Sequence, residues 1–474
     1  MSPHAEAGTG AWLEQLAATD PADIVRLSRP GPRYTSYPTA PEWKEDVGAA
    51  QLADHLERAE AEGADSPLSM YVHIPFCRAM CSYCGCNVVV SRRPGRADIY
   101  LDHLEQELDL LCARLPRRRG LIQLHLGGGT PTFLTEAQLS RLWSLISGRF
   151  TLLPGAEVAL EIDPVVTTPG QLDLLRSFGF NRVSMGVQDF TPEVQERIGR
   201  VQSVEQTRSL YEHARDLGFR GINFDLIFGL PRQRLDTFQQ TLDRVLEMKP
   251  DRVAAFGYAH VPWMRSAQRK FTEDELPDAP TRFRLFFAAL RTFLDAGYVQ
   301  IGMDHFARPD DELARARLER RLQRNFQGYT VLPASDILAL GITGISEVQG
   351  LYTQNLKPLA RYYRAVEAGR LPTERGALIT DEDRLRRRVI SQIMCNFYVD
   401  LQAECAAHGL DAAEHFSREL TDLQESVDAG LIQRDGLTLE VTPLGRILVR
   451  NVAMVFDTYL RDRRGKAGTF SKTI

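Results

Sequence analysis

Between about Ser69 and His260, short runs of β-branched and aromatic residues alternate with longer segments of helical period. No other feature constrains the fold as much, because parallel strands need long crossovers and helices usually make them. Six runs read as strands: 70–76, 121–126, 158–162, 182–187, 221–228 and 252–258. Helix-start chemistry follows them. Thr135 can cap a helix whose Gln138 returns the bond, with Leu134 stapling onto Leu139. Thr168-Pro169 and Thr191-Pro192 each put a hydroxyl before a proline at the first helical position, and Ser203 with Gln206 makes another capping box. Right-handed crossovers repeated in one direction curl a parallel sheet, so the expected architecture is α/β, a partial (β/α)6 TIM-like barrel.

The flanks differ. The first 30 residues are expected to be weakly ordered, and 29–40 (RPGPRYTSYPTA) reads as an extended strap. Beyond His260, 278–296 has helical period and 299–306 is a further candidate strand. From about 380 come helices, a turn-bounded pair (LIQRDGLTLEVT) and a last helix near Leu444, the order of a mostly helical, winged-helix-like domain. The expected division is 1–50 (extension and strap), 51–370 (catalytic domain) and 371–474 (C-terminal domain).

With 62 acidic and 57 basic side chains the net charge is -5, so nucleic acid is not an expected partner, and the C-terminal domain is expected to be structural or a lid. No apolar run approaches the roughly 18 to 20 residues of a membrane span, and no basic-then-apolar leader opens the chain. A cytoplasmic location is expected. Four of the seven cysteines, Cys77, Cys81, Cys84 and Cys86, fall within ten residues, while Cys112, Cys395 and Cys405 are scattered. In a reducing compartment such a cluster points to metal or redox chemistry.

The segment YVHIPFCRAMCSYCGC follows the first strand, which puts its thiols on a loop at the C-terminal rim, where chemistry collects in parallel α/β folds. Structural zinc takes two separated ligand pairs, and no second pair follows. Three thiolates spaced C-x3-C-x2-C can instead wrap one corner of an iron-sulfur cube and leave one iron open. The cysteine run alone also admits a zinc-bound or buried Cys group. Gly127-Gly128-Gly129-Thr130-Pro131-Thr132 ends the second strand and lets backbone approach a ligand. It lacks the lysine of a phosphate loop and the spaced glycines of a dinucleotide site.

Taken together, these motifs resemble the radical S-adenosylmethionine (SAM) superfamily, and more narrowly the oxygen-independent coproporphyrinogen III oxidase (dehydrogenase) family. RYTSYPTA, YVHIPFCRAMCSYCGCN, GGGTPT, EIDP, SMGVQDF, INFDLIFGLP, GMDHFARPDDELA, NFQGYT and VRNVAMVFDTYLR carry the likeness from about Arg33 to the end of the chain. The resemblance implies a [4Fe-4S] cluster on Cys77, Cys81 and Cys84, its open iron chelated by S-adenosyl-L-methionine. It also implies two SAM molecules. Matching positions are Tyr71, Gly128, Glu161, Ala259 and Ile345 for the first, and Tyr83, Gly129, Thr130, Gln188, Arg200 and Asp225 for the second. Tyr83 stands where the family commonly has Phe. For Cys86, a catalytic role near the second cofactor and a packed small residue both remain open.

The implied reaction is oxidative decarboxylation of two propionates of coproporphyrinogen III to vinyl groups, giving protoporphyrinogen IX, through a 5'-deoxyadenosyl radical. Because guanidinium pairs bidentately with carboxylate, Arg33 and Arg308 are the candidate propionate grips, whereas 117–119 and 386–388 read as solvated charges. His73, His125, His260 and His305 lie near strand ends and read as core histidines or proton donors. A low-potential donor such as flavodoxin or ferredoxin and a monomeric state are expected. The alternative is a haem chaperone of the same family, whose members typically lack the fourth cysteine and the RYTSYPTA strap.

Overall fold

The structure, a computed structural model, describes residues 9–462, apart from 19, 64, 94, 333 and 335, together with residue 470. All six expected strands form: β1 (Leu68–Ile74), β2 (Gly120–Gly128), β3 (Thr151–Ile162), β4 (Arg182–Gln188), β5 (Gly221–Phe228) and β6 (Arg252–Gly257). They pair in parallel in sequence order. Their crossovers include α1 (Gly95–Cys112), α2 (Glu136–Ser147), α3 (Pro169–Ser177), α4 (Val204–Asp216) and α5 (Leu235–Met248). Apart from half-buried Tyr71, β1 is buried along its length, as a strand covered on both faces must be.

The caps that were read locally mostly form. Thr135 and Thr168 make reciprocal boxes with Gln138 and Gln171. Ser203 accepts from the Gln206 amide at 3.0 Å, but the Gln206 side chain turns to the Val165 carbonyl. Thr191 makes no cap bond; Asp189 accepts the Thr191 amide instead at 2.6 Å.

The sheet extends further than the six units. β7 (Val299–Gly302) and β8 (His305–Ala307) add antiparallel beside β6, so the expected single strand over 299–306 is a hairpin, broken at Met303 with φ 46°. On the far side β9 (Asp336–Leu340) pairs in parallel with β1, and β10 (Ile345–Val348), β11 (Leu351–Asn355) and β12 (Thr373–Leu378) follow antiparallel. The order is β12-β11-β10-β9-β1-β2-β3-β4-β5-β6-β8-β7, an open partial barrel. β12 lies past residue 370, the expected boundary, yet pairs with this large sheet.

The C-terminal region is mostly helical, led by α6 (Asp381–Asn396), and carries the expected turn-bounded pair, Ile432–Asp435 with Thr438–Val441, beside Tyr398–Asp400. One apolar core runs from Leu13 to Phe456. The first 30 residues are not weakly ordered where described: helices span Thr9–Ala18 and Pro21–Leu27, with Leu13, Leu16 and Ile24 buried. The strap carries no α-helix, but it is not extended throughout as expected: Tyr34 has φ 48° and the chain bends over 35–38, and it is pinned on the C-terminal region. The Tyr34 hydroxyl donates to Asp457 at 2.9 Å, Arg450 donates to the Gly31 carbonyl at 2.9 Å, and Asn451 to the Leu27 carbonyl at 2.7 Å.

Two expected solvated charges are buried. Arg118 is 0% exposed and bonds Asp336 of β9 at 2.5 Å, and Arg386 bonds Glu419 at 2.8 Å. Asp336 and Glu419 are distant in sequence, so local charge patterning could not reveal this burial; the one local partner, Glu382 one turn from Arg386, reads as a surface i,i+4 pair. No helix is long and apolar enough to cross a membrane among the described residues.

Candidate active site

The cysteine loop leaves the top of β1 and is sewn to the glycine turn at the top of β2. Gly129 donates to the Ile74 carbonyl at 2.8 Å and Thr130 to the Phe76 carbonyl at 2.9 Å. Two glycines make this approach possible. A Cβ on Gly129 would lie 2.8 Å from the Pro75 and Phe76 backbone, and Gly128 has φ +115° with the His73 ring 2.6 Å from a Cβ position. The loop's return is fixed by parallel pairing of Phe76–Cys77 with Val89–Val90.

Cys77, Cys81, Cys84 and Cys86 are free thiols lining one cavity of about 560 Å³. Among the described residues no three Cys, His, Asp or Glu side chains converge as ligands to a single ion would. The donor chemistry fits an iron-sulfur group: four soft thiols on one loop are spread around the cavity, and no histidine is among its described lining residues to complete a structural zinc set. Cys77 also lies 3.6 Å from the Thr130 hydroxyl. The hydrogen bond from Cys86 brings the Cys84 thiol down to about 6, and the same contact drives Cys86 up.

All six positions of the second expected SAM set, Tyr83, Gly129, Thr130, Gln188, Arg200 and Asp225, line this cavity with the cysteines. Four of the first set, Tyr71, Gly128, Glu161 and Ile345, line a neighbouring cavity of about 400 Å³ with His73, Asn87 and Arg265. Ala259 is not among the lining residues of either; its carbonyl accepts from Gln268 at 3.2 Å. Cys86, Gly128 and Glu161 line both cavities and form the wall between them.

The polar groups are held from the strand ends. Burial works against the Glu161 carboxylate, but His125 at 3.4 Å and the Gly128 amide at 3.1 Å hold its pKa below the ordinary value. Asp225 shifts the other way: burial raises it to about 6, although Ser184 and Asn223 each donate to it at 2.8 Å. Arg200 is kept charged despite burial by Tyr83, whose hydroxyl accepts its bond at 3.3 Å, and by Asp163 at 3.0 Å. Gln188 breaks the register of β4 with φ 65°, an unusual conformation for a side chain that lines a ligand cavity.

Each of the four strand-end histidines has a partner, His125 being the one beside Glu161. His73 lies 3.1 Å from both the Tyr71 hydroxyl and the Asn87 carbonyl, His260 3.0 Å from the Tyr258 hydroxyl, and His305 2.9 Å from Asp304. Of the two arginines expected to grip carboxylates, Arg33 reaches the rim: it pairs with Asp304 and sits 5.5 Å from the ring of Phe256, a residue lining the cysteine cavity. Arg308 does not. It follows β8 past Ala307, which pairs with Arg252 at the start of β6, and it faces Asp310 at the end of the barrel away from the thiols. The spacing in HFARPDDE could not tell which end of an antiparallel strand that residue would occupy. Sequence reasoning missed Asp163, although it stands in the EIDP motif, and Gln268, whose amide also donates to the Tyr83 carbonyl at 3.0 Å.

Comparison with known proteins adds to this geometry. Residues 71–245 match the radical SAM superfamily model and 379–448 the HemN C-terminal domain model. The chain is 45% identical over 461 residues (97% of this chain, 100% of the relative) to "Oxygen-independent coproporphyrinogen III oxidase" of Salmonella typhimurium. It is 44% identical to the protein of that name from Escherichia coli, over 96% of this chain and 98% of the relative. The solved structure of the E. coli enzyme, described as coproporphyrinogen III oxidase (HemN), a radical SAM enzyme, superposes with a TM-score of 0.87, covering 90% of this chain and 97% of that one.

Proposed function

The chain belongs to the oxygen-independent coproporphyrinogen III oxidase family of radical SAM proteins, and on that premise we propose how its barrel mouth does the family's work. The enzyme is an oxidoreductase of haem and porphyrin biosynthesis that oxidatively decarboxylates two propionates of coproporphyrinogen III to vinyl groups, forming protoporphyrinogen IX. Its cofactors are a [4Fe-4S] cluster and S-adenosyl-L-methionine. The haem-chaperone alternative is not favoured, since the relatives named above are oxidases.

When bound, the cluster and SAM supply the 5'-deoxyadenosyl radical that opens an unactivated propionate C–H bond. Cys77, Cys81 and Cys84 would hold the cluster, and Cys86 is kept outside the ligand set because a fourth thiolate would close the open iron. The observation that carries this reading is that these thiols share one cavity with all six residues of one SAM set. Two SAM molecules would bind, one held by Tyr71, Gly128, Glu161 and Ile345 and the other by Tyr83, Gly129, Thr130, Gln188, Arg200 and Asp225. Glu161 is poised to accept hydroxyl donors, Arg200 to hold a carboxylate, and Gln188 and Asp225 to position the SAM beside the thiols. Arg33 meets the substrate at the rim. The protein works as a cytoplasmic monomer, fed by a low-potential donor such as flavodoxin or ferredoxin.

Anaerobic reconstitution tests the cofactor assignment. Wild type is expected to take up four irons and cleave SAM on reduction, while Cys77→Ala, Cys81→Ala and Cys84→Ala lose both and Cys86→Ala keeps its iron. Full iron loading in any of the first three, or its loss in the fourth, would refute the ligand set. Equilibrium dialysis is expected to find two SAM per loaded chain; one would contradict the second site.

A further inference from the structure

Beside the mouth, the strap, the hairpin of residues 323–330 and the C-terminal helices bring three guanidiniums, Arg33, Arg324 and Arg450, around the carboxylate of Asp304, which precedes β8, while Arg282 of the Ala279–Asp295 helix lies within charge reach of Arg450. Arg33 pairs with Asp304, whose other oxygen is 2.9 Å from His305. Arg324 donates to the Arg33 carbonyl and lies 5.1 Å from the Tyr329 ring. Arg450 is 6% exposed; burial, then the positive charge of Arg33, brings it down to about 9, with Arg324 and Arg282 adding to the repulsion and Asp304 opposing it.

Three polar atoms here are buried without a hydrogen-bond partner: Nε of Arg324, Nε of Arg282 and the hydroxyl of Tyr329. Neither Arg324 nor Arg282 has an ion-pair partner among the described residues. Crowding cations with orphaned donors is costly unless an anion arrives to meet them. The place is reachable: the Arg33 side chain is 33% exposed, and Phe256 beneath it lines the cysteine cavity. His305, Phe256 and Tyr329 also line a third cavity, of about 280 Å³, inside the barrel.

We infer that Arg33, Arg324 and Tyr329, backed by Arg450 and Arg282, form a carboxylate seat that holds propionate arms of the tetrapyrrole at the barrel mouth. The inference rests on the substrate reading above and deepens it: the seat takes carboxylate groups, through the planar guanidinium fork and a phenol donor. Asp304 holds Arg33 in place without neutralising the group, and the strap supplies both Arg33 and the carbonyl that orients Arg324. A bound carboxylate would therefore tie the strap to the hairpin.

The test is binding without turnover. Reconstituted, unreduced holoenzyme is titrated with coproporphyrin III, the oxidised tetracarboxylate, by its fluorescence, and with SAM by dialysis. Arg324→Gln and Arg33→Gln are each expected to weaken porphyrin binding about tenfold or more, the scale of a lost charge-assisted hydrogen bond, while SAM affinity holds; Arg324→Lys should recover part of the loss. Unchanged porphyrin affinity in both Gln variants would overturn the seat. So would a parallel loss of SAM affinity, which would mark these arginines as merely structural. If wild type itself fails to bind the porphyrin, the substrate reading falls with the seat; if only the variants disobey, that reading stands.

Discussion

Glu107, on α1, is buried among three donors: the Tyr362 hydroxyl at 2.6 Å, the Asn355 amide at 2.7 Å and the Gly341 backbone at 2.8 Å. Burial raises its carboxyl to about 7 although the three bonds oppose it. A carboxyl raised on folding binds a proton more readily in the native chain, so stability is expected to fall as pH rises from about 4.5 to about 7 and to level off above. Denaturant melts across that range should show a shallower slope in Glu107→Gln than in wild type, Asp225 supplying part of what remains. The variant should also be less stable at neutral pH by roughly 1–3 kcal/mol, since one oxygen must become a donor facing donors. Tyr83 allows a gentler test. Its hydroxyl is one of several supports for Arg200, beside Asp163 and the Gly186 carbonyl at 2.7 Å, so Tyr83→Phe is expected to keep iron loading and lower SAM affinity less than tenfold. A larger loss would give the hydroxyl a role of its own. At this scale the cysteines were legible because their ligand spacing is local. The burial of Arg118 and Arg386 was not, because it depends on carboxylates from β9 and from residue 419, and the local Glu382 pair of Arg386 looks like any surface i,i+4 pair.

At the scale of elements, the seam between the cysteine loop and the glycine turn holds the site in shape. Gly129→Ala puts a Cβ against the Pro75 and Phe76 backbone, so two main-chain bonds must shift. Iron loading of this variant is expected to drop several-fold while its unfolding midpoint moves little; full loading would show that the seam does not set the loop. The six parallel strands could be read because each carries its own apolar run and is followed by a helix. The extension β9 to β12 could not, since Asp336–Leu340 is a short apolar segment whose place is fixed by pairing with β1, 268 residues earlier. The 299–306 hairpin was hidden for a related reason: its turn rests on Met303 in a left-handed conformation, a position that usually announces itself with glycine or asparagine.

Across the whole molecule, the strap joins the barrel mouth to the C-terminal helices. Tyr34→Phe removes its bond to Asp457, worth about 1.5–3 kcal/mol for a charged acceptor. Proteolysis within 29–40 should then speed up tenfold or more, with the global melt little changed; equal rates would mean the strap is held elsewhere. Carboxylate chemistry made the strap's Arg33 a candidate propionate grip, but only the fold reveals that Arg324 bonds its carbonyl and that Arg450 lies within its charge reach, both drawn from distant stretches of chain. The most direct test of the account is anaerobic turnover. Reconstituted wild-type enzyme given reductant, SAM and coproporphyrinogen III should release two carbon dioxide molecules for each protoporphyrinogen IX formed. SAM cleavage without decarboxylation, or stable haem binding without turnover, would contradict it.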